Sequence, residues 1–204
     1  ITTRGPSQQF AGGLELGSSQ FIDPYGFNLA RLDITGPIIK PHGVDKKHSK
    51  ASTLSAGYFL TAEFEGNKDG SGSALGMWKV KDDVYNYLKD NPLQPSTLAT
   101  GFVPSAEFLT MDSLEHIKYK RDIQDKSYRF NLKIDLALNK NINFTLGGNA
   151  QIERYESYDF GRQLMSPSTQ LHFNDNTYRV YGKFTQIFPS STKPSSFSNA
   201  YYSI

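Results

Sequence analysis

The sequence predicts an all-β fold: an antiparallel sheet of about seven strands that forms a segment of a transmembrane β-barrel. Apolar and polar residues alternate in several runs, so each of these strands would have one apolar face and one polar face. The links between the runs alternate between long and short, as they do in transmembrane barrels, which have short turns at one rim and long loops at the other. An aromatic content of 13% agrees with strands and with the aromatic girdles of such barrels.

The clearest alternating run is residues 128–138. Its even-numbered positions hold Tyr128, Phe130, Leu132, Ile134, Leu136 and Leu138, and its odd-numbered positions hold Arg129, Asn131, Lys133 and Asp135. Because successive side chains of a strand point to opposite faces, one face of this strand suits hydrocarbon and the other suits water. The run also has about the 9 to 11 residues that a tilted strand needs to cross a bilayer.

Six other segments have the patterning of strands: residues 8–18, 25–38, 53–65, 142–153, 178–188 and 197–204. In the second of them, the apolar residues change parity between Leu29 and Leu32, which predicts a β-bulge near Ala30 and Arg31. The Asn-Lys-Asn sequence at 139–141 predicts a hairpin turn between the fourth and fifth strands.

The lengths of the links predict an orientation in the membrane. The links after the third and fifth strands, 66–126 and 154–177, are long, whereas those after the fourth and sixth are short. Because the long loops of outer-membrane barrels are extracellular, the odd-numbered strands would run outward and the even-numbered strands inward. Two links fit this orientation poorly, because 19–24 is short where a loop is expected and 36–52 is long and basic where a turn is expected.

The long link 66–126 is expected to have structure of its own. After a run of glycine and serine at 70–73, apolar residues recur at helical spacing and stop before Asn91-Pro92; they are Val80, Val84, Tyr87 and Leu88. A second short helix is predicted at 112–118, with Asp112 as its N-cap and Glu115 three residues later. A link of this size with its own elements is usually functional.

The composition excludes several classes of protein. The chain has 22 basic and 20 acidic residues and a net charge of +2, which gives no strong field for binding nucleic acid. It has no cysteine, so disulfide bonds and thiol chemistry are excluded. No run approaches about 18 apolar residues and the mean hydropathy is −0.51, which excludes a helical membrane span but not a barrel of alternating strands. The chain opens with Ile1 and no signal peptide, so we expect a mature or internal piece of a longer protein.

No pattern of catalytic or metal-binding residues is found, so we expect neither an enzyme nor a bound cofactor. The four histidines, His42, His48, His116 and His172, lack the spacing of a zinc site. The glycine and serine run at 70–76 lacks the Gly-Lys-Ser/Thr ending of a phosphate-binding loop. Neighbouring acids such as Asp82 and Asp83 are more often solvated than catalytic.

The candidate solute-binding residues are therefore polar residues of the strands and aromatic residues of the long link. The strand candidates are Arg129, Lys133, Asp135, Gln151, Glu153, Arg179 and Lys183, and the candidates in the link are Trp78, Tyr85 and Tyr87. The strand residues could bind solute in a lumen, or they could only solvate a wet interior or pair with an internal plug. The aromatic residues could stack a ligand at an outer mouth, or they could pack against their own loop.

Several segments resemble TonB-dependent outer-membrane receptors, in particular the SusC-like transporters of Bacteroidetes. The first residues, ITTRG at 1–5, are similar to the end of the plug domain in that family. Similarity to its first barrel strands is seen in FIDPYGFNL at 21–29 and LDITGPI at 32–38, and continues in GYFLTAEF at 57–64, FVPSAEF at 102–108 and YRVYGKFTQ at 178–186. The order and spacing of these segments cover essentially the whole chain.

The resemblance implies an outer-membrane barrel of 22 strands with an internal plug, which imports a bound solute. Residues 1–7 would then be the end of the plug and its link to the barrel, and residues 8–204 the first part of the barrel, with 66–126 as an extracellular loop. The partners it implies are outer-membrane lipid, the rest of the barrel and plug, the TonB complex and a surface lipoprotein, but no nucleic acid. The chain would be a multi-pass segment in the bacterial outer membrane.

Two other functions are compatible with the sequence. A receptor-like barrel could have a structural or adhesive role in an assembly of the cell envelope, with no transport. A soluble all-β module could bind carbohydrate.

Overall fold

The computed structural model describes residues 9–39, 55–97, 100–139, 141–165, 169–188 and 201–204. Its eleven strands, in chain order, are β1 (Ala11–Ser18), β2 (Asn28–Ile39), β3 (Ser55–Asn67), β4 (Met77–Val80), β5 (Leu93–Pro95), β6 (Phe102–Pro104), β7 (Leu114–Ile117), β8 (Asp125–Asn139), β9 (Ile142–Ser157), β10 (Leu171–Ile187) and β11 (Tyr201–Ser203). One α-helix, α1 (Asp82–Asp90), is found in this part of the chain. The prediction of an all-β, antiparallel architecture is confirmed.

The main sheet has seven strands in the order β1-β2-β3-β8-β9-β10-β11, and every neighbouring pair is antiparallel. Strands of this sheet that are consecutive along the chain are therefore neighbours in space, and the link that carries β4 to β7 lies between β3 and β8. In the described residues β1 and β11 do not pair with each other, so the sheet is open at both edges.

Continuous register keeps the two faces of the sheet separate across its six long strands. One row of directly opposed residues is Leu14, Leu32, Ala62, Phe130, Ala150 and Tyr178, and we call the face that carries it the apolar face. The neighbouring row on the opposite side, which we call the polar face, is Glu15, Arg31, Glu63, Arg129, Gln151 and Thr177. Because the side-chain period of a strand is two, a slip of one residue in any pair would mix these faces.

The prediction of a β-bulge near Ala30 and Arg31 is wrong. β2 pairs without interruption from Asn28 to Pro37, and its register shifts between Pro37 and Ile39. The change of parity arises because Leu29 is an apolar residue on the polar face. Its register partner on β1 is Gly17, and a Cβ built on Gly17 would lie 3.5 Å from the Cβ of Leu29. The observed bulge follows Pro37, which has no backbone N–H to donate to a partner strand.

The bounds of the other strands agree in part with the prediction. The hairpin between β8 and β9 is confirmed, and the backbone N–H of Asn141 donates to Oδ1 of Asn139 at 2.8 Å; residue 140 lies outside the described residues. β10 begins at Leu171, well before the predicted start at 178. The alternating pattern did not predict the first part of this strand, because its apolar residues Leu171 and Phe173 have the opposite parity to Tyr178. The last predicted strand is described only from residue 201, as the short β11.

The long link between β3 and β8 spans residues 68–124 and has two small antiparallel pairs, β4 with β7 and β5 with β6. The predicted first helix is confirmed as α1, and the backbone N–H of Asn91 donates to the carbonyl of Tyr87 where it ends. The second predicted helix, 112–118, is wrong: a 3₁₀ turn at Met111–Ser113 is capped by Thr110, and β7 follows it. Pairing of β7 with β4 overrides the local helix signal.

Buried apolar residues are few and do not form a core beneath the sheet. Among the described residues they are Ala56, Val80, Leu88 and Ile123, and only Ala56 belongs to the main sheet. On the apolar face, by contrast, Leu14 is 69% exposed, Tyr178 66% and Val180 82%. In the described part of the chain, no helix has the length and apolar character needed to cross a membrane.

A glycine on β9 allows an aromatic ring to lie close to the polar face. Gly147 is directly opposite Tyr181 of β10, and a Cβ built on Gly147 would lie 2.3 Å from Cζ of that ring. Such a contact is too short for any side chain, so the ring occupies the place of the missing one. The absence of a side chain at Gly147 therefore lets the Tyr181 ring reach across from β10 and lie over β9.

We predict that Gly147→Ala destabilises the sheet by about 1 to 3 kcal/mol, because the added methyl group displaces the Tyr181 ring. Gly182→Ala on β10 is the matched control, since its Cβ would meet Phe144 at an ordinary 3.9 Å. Chemical denaturation of the folded chain measures both free energies of unfolding. In a Tyr181→Ala background the cost of Gly147→Ala should fall, and equal costs for the two glycine variants would contradict the packing described.

Candidate functional site

The polar face of the main sheet collects all seven strand residues predicted to bind solute. Cross-strand register places Arg129 opposite Gln151, Lys133 opposite Gly147 and Asp135 opposite Thr145, with Arg179 opposite Asn149 on the same face. Glu153 and Lys183 lie at opposite ends of this region. The alternating pattern alone predicted that these residues share a face, whereas the register shows which of them are neighbours.

The centre of the polar face is an ion-pair network around Glu63. Arg129 donates through Nη1 to Glu63 Oε1 at 2.6 Å and to Glu65 Oε2 at 3.3 Å. Arg31 approaches Glu63 from the other side, with its Nε 3.9 Å from Oε2. Glu63 is thus between two guanidinium groups, and its side chain is only 22% exposed. The sequence placed Glu63 on the polar face but gave no sign of which cations would contact it.

Most of the other predicted residues are also engaged within the sheet. Lys133 Nζ lies 3.0 Å from Asp135 Oδ2, and Asp135 also accepts a hydrogen bond from the Thr145 hydroxyl. Gln151 donates through Nε2 to Glu153 at 2.6 Å. These contacts neutralise the charges of Lys133 and Asp135 against each other and leave little freedom for either side chain.

Arg179 and Lys183 differ from the other cations of the polar face. Both are exposed, and neither forms an ion pair or side-chain hydrogen bond with a described residue. Tyr181 lies between them on the same strand, with its ring over Gly147. The arrangement is an aromatic ring flanked by two positive charges that are available to a ligand.

The three aromatic residues predicted at an outer mouth do not form one surface. Trp78, on β4, is 43% exposed and contacts His116 edge to face, with ring centroids 5.1 Å apart. Tyr85 and Tyr87 are both on α1, but residues two apart on a helix project from different sides. In this part of the link, Trp78 packs with its own loop.

A cluster of charges fixes β4, β7 and α1 to one another. The Lys79 ammonium is buried and lies 2.8 Å from Asp82 Oδ1, with Glu115 of β7 as a second partner. Arg121 reaches the same Asp82 oxygen at 3.2 Å. Burial alone would lower the pKa of Lys79, but the hydrogen bonds to Asp82 and Glu115 outweigh it and raise that pKa. The hydrogen bond from Lys79 lowers the pKa of Asp82.

The links at one rim of the sheet contact one another, which the sequence did not reveal. We call the rim where β3 ends and β8 begins the long-loop rim; it carries the links 19–27, 68–124 and 158–170. The backbone N–H groups of Lys68 and Asp69 both donate to the carbonyl of Tyr25. Farther along, the side chain of Gln163 donates to the carbonyl of Trp78 at 3.1 Å.

Asp69 is the most buried charged side chain at this rim. Its carboxylate accepts hydrogen bonds from the backbone N–H of Lys120 at 2.8 Å and of Ser71 at 3.1 Å. The Lys120 ammonium lies 4.6 Å above the ring of Tyr158. Burial raises the pKa of the Tyr158 hydroxyl, and the charges of Asp69 and Asp159 add to the effect. The sequence Asp-Gly-Ser at 69–71 is typical of a tight turn, and it was the one local signal for the contacts around Asp69.

The apolar face carries a groove along β9. Gly148 and Ala150 leave a low line between larger residues of the neighbouring strands, among them Leu132 and Phe130 on β8 and Val180 on β10. The groove has a volume of about 380 Å³. Its lining side chains are almost wholly apolar, so it suits hydrocarbon and offers no chemistry for a polar ligand.

Near the long-loop rim the polarity of the two faces is exchanged. On the apolar side, the strands end with Lys126, Arg154 and the pair His172 and Glu156, whose Nδ1 and Oε1 atoms are 3.0 Å apart. On the polar side, Tyr155 and Phe173 stack with ring centroids 5.1 Å apart. Each face therefore changes character at about the same level of the sheet.

In the described residues no group of three histidine, cysteine, aspartate or glutamate side chains is placed to hold a metal ion. Comparisons with protein-family models, with curated proteins and with solved structures find no match for this chain.

We predict that the loop cluster around Asp82 loosens when acid removes its charge. Because the folded pKa of Asp82 is lowered, its ion pair stabilises the loop above the usual aspartate pKa of about 3.9, and this contribution is lost as the pH falls through the lowered pKa. The fluorescence of Trp78, next to Lys79 and the single tryptophan of the chain, reports the change. Asp82→Asn should abolish this acid transition, and an unaltered transition in the variant would contradict the assignment.

We also predict that Glu63→Gln weakens the sheet more than Glu65→Gln does. Glu63 separates Arg31 from Arg129, so its loss leaves two cations facing each other, whereas Glu65 makes the longer contact with Arg129 alone. A double-mutant cycle with Arg129→Gln should give a coupling of about 1 kcal/mol for Glu63, since the pair is partly exposed. A larger coupling for Glu65 would show that the network is centred elsewhere.

Proposed function

We propose that this chain forms part of the wall of a transmembrane β-barrel in the bacterial outer membrane, and that the barrel imports a solute as a TonB-dependent transporter. The observation that carries the proposal is the apolar face, which is continuous over six strands and exposed. Soluble proteins rarely expose contiguous apolar surface of this kind without a partner to cover it. Lipid is a partner that would cover all of it at once.

The height of the apolar face supports lipid as that partner. From Tyr128 to Leu138, β8 advances by roughly 33 Å at about 3.3 Å per residue. A strand tilt of about 40° reduces this to roughly 25 Å along the membrane normal, which is the height of the apolar band in outer-membrane barrels. The rings of Phe64 and Tyr128, 5.2 Å apart, lie at the upper end of this band, where aromatic girdles occur.

The open edges of the sheet imply additional strands. An unpaired strand edge cannot face lipid, because its backbone N–H and C=O groups would have no hydrogen-bond partner there. In the proposed assembly β1 and β11 therefore pair with further strands of the same barrel. The polar face then lines its lumen, and the ion pairs around Glu63 are part of the lumen wall.

The transport activity is inferred from the resemblance of residues 21–38 and the later segments to SusC-like transporters. In this function Arg179, Tyr181 and Lys183 are the residues best placed to contact an anionic solute or the plug, because the other cations of the polar face, Arg31, Arg129 and Lys133, are already paired. The TonB complex and a surface lipoprotein are the partners that the same resemblance suggests. The connected links of the long-loop rim would form the extracellular mouth.

A receptor-like barrel with an adhesive role shares every feature of the wall and would differ only in lacking energised uptake. A soluble carbohydrate-binding module is the less favoured alternative, because the exposed residues Leu14, Tyr178 and Val180 would then face water. Extraction separates the last alternative: release into buffer without detergent would contradict the membrane proposal.

We predict opposite outcomes for charges placed on the two faces of β8. Leu132→Arg on the apolar face should cost roughly 2 to 4 kcal/mol near the middle of the bilayer, because a guanidinium would be placed in hydrocarbon. Asn131→Arg introduces the same side chain on the polar face and should cost much less, as should Lys133→Leu. Assembly in lipid bilayers and the free energy of unfolding from them measure the difference. Equal assembly of Leu132→Arg and Asn131→Arg would show that the faces are wrongly assigned.

A further inference from the structure

Two positively charged residues lie directly opposite each other on the apolar side of the sheet. Lys126 of β8 and Arg154 of β9 are register partners on the apolar side, one row beyond Tyr128 and Ile152. Directly opposed side chains of an antiparallel pair have their Cβ atoms about 5 Å apart, and like charges in this position destabilise the pair. The arrangement therefore suggests an anion that neutralises both.

The described residues do not supply that anion. Lys126 and Arg154 are exposed, and neither makes an ion pair or a side-chain hydrogen bond with a described residue. The nearest carboxylate on the same side of β9 is Glu156, which already accepts a hydrogen bond from the backbone N–H of Gln124 and pairs with His172. Neighbouring positions in the row, Gly66 and Asn174, carry no charge.

The groove along β9 lies on the same side of the sheet as these two cations. It ends at Ala150 on β9 and Phe130 on β8, and one row, Tyr128 with Ile152, separates it from Lys126 and Arg154. The six residue-to-residue steps from Gly148 to Arg154 span roughly 20 Å along the strand. At a tilt of about 40° this is roughly 15 Å along the membrane normal, or half of the hydrocarbon core of about 30 Å.

We propose that this side of the sheet binds an anionic phospholipid, with an acyl chain in the groove at Gly148 and Ala150 and the negatively charged headgroup between Lys126 and Arg154. The inference rests on the proposed membrane function, because the groove faces lipid only if the apolar face does. Charge complementarity selects an anionic headgroup, and the apolar groove below it selects a lipid rather than a free ion. The orientation derived from the long links places this site in the outer leaflet.

The test compares bilayers of phosphatidylcholine with bilayers that also contain phosphatidylglycerol. The complete chain is first shown to insert, by flotation with vesicles after an alkaline wash, and native mass spectrometry then measures which lipid is retained. Each cation near an anionic surface favours binding by about fivefold, so Lys126→Gln with Arg154→Gln should reduce the preference for phosphatidylglycerol by about 25-fold. The exchanged variant, Lys126→Arg with Arg154→Lys, keeps both charges and should keep the preference.

The matched control removes two charges from the other face. Arg179→Gln with Lys183→Gln makes the same change in net charge on the polar side and should leave the lipid preference unaltered. An equal loss in both double variants would overturn the assignment of the site. Displacement of the lipid by inorganic phosphate alone would show a phosphate site without an acyl contribution, which also contradicts the proposal.

The proposal of a lipid site and the proposal of a membrane function can fail separately in this test. If the chain inserts into both kinds of bilayer and the double variant retains the lipid preference, the lipid site is wrong and the membrane function stands. If the chain inserts into neither, both proposals are wrong.

Discussion

The structure depends on register. Each neighbouring pair among the six long strands is aligned so that apolar residues meet apolar residues, as in the row of Ile34, Leu60, Leu132, Gly148 and Val180. The alignment is fixed by short-range and long-range contacts together: the Asn139 turn joins β8 to β9, and the pairing of Glu63 with Arg129 joins β3 to β8. Both irregularities of the register, after Pro37 and after Ala137, are confined to the rim opposite the long loops, where they do not disturb the faces.

Over most of its height, the sheet therefore has two chemically different faces. The polar face pairs most of its cations internally, as in the contact of Lys133 with Asp135, and leaves Arg179 and Lys183 to water or a ligand. In the described residues, no other element covers the apolar face, and many of its side chains are exposed. Near the long-loop rim the polarity of the two faces is exchanged, with Arg154 on one side and Tyr155 on the other. In the proposed barrel, a bilayer surface at that level would account for all three features.

The sequence predicted the strands well where the alternation was long and local. Residues 128–138 and 142–153 were found as strands with the correct faces because their apolar residues keep one parity throughout. Prediction failed where residues respond to distant partners: Leu29 packs near Gly17, and Leu114–Ile117 forms a strand because β4 is available to pair with it. No local pattern carries that information.

The candidate site was predicted in the same partial way. Parity placed Arg129, Lys133 and Arg179 on one face. The order of the strands was needed to show that Glu63 of β3 neutralises Arg129, whereas Lys133 pairs with Asp135 on its own strand. The buried Asp69 and its contacts with the Lys120 segment were missed, because they join residues that are far apart in the sequence.

Cysteine labelling along β8 in a lipid bilayer tests the central claim most directly, and the absence of cysteine from the chain makes each label unique. Single cysteines at residues 128–136 would be treated with a water-soluble thiol reagent and, separately, placed in bilayers that contain a lipid-borne quencher. The proposed wall predicts that Asn131→Cys and Lys133→Cys react with the reagent, whereas labels at Phe130→Cys, Leu132→Cys and Ile134→Cys are quenched by lipid. Equal reaction at odd and even positions, or quenching at the odd ones, would contradict a sheet with one face in lipid and the other in water.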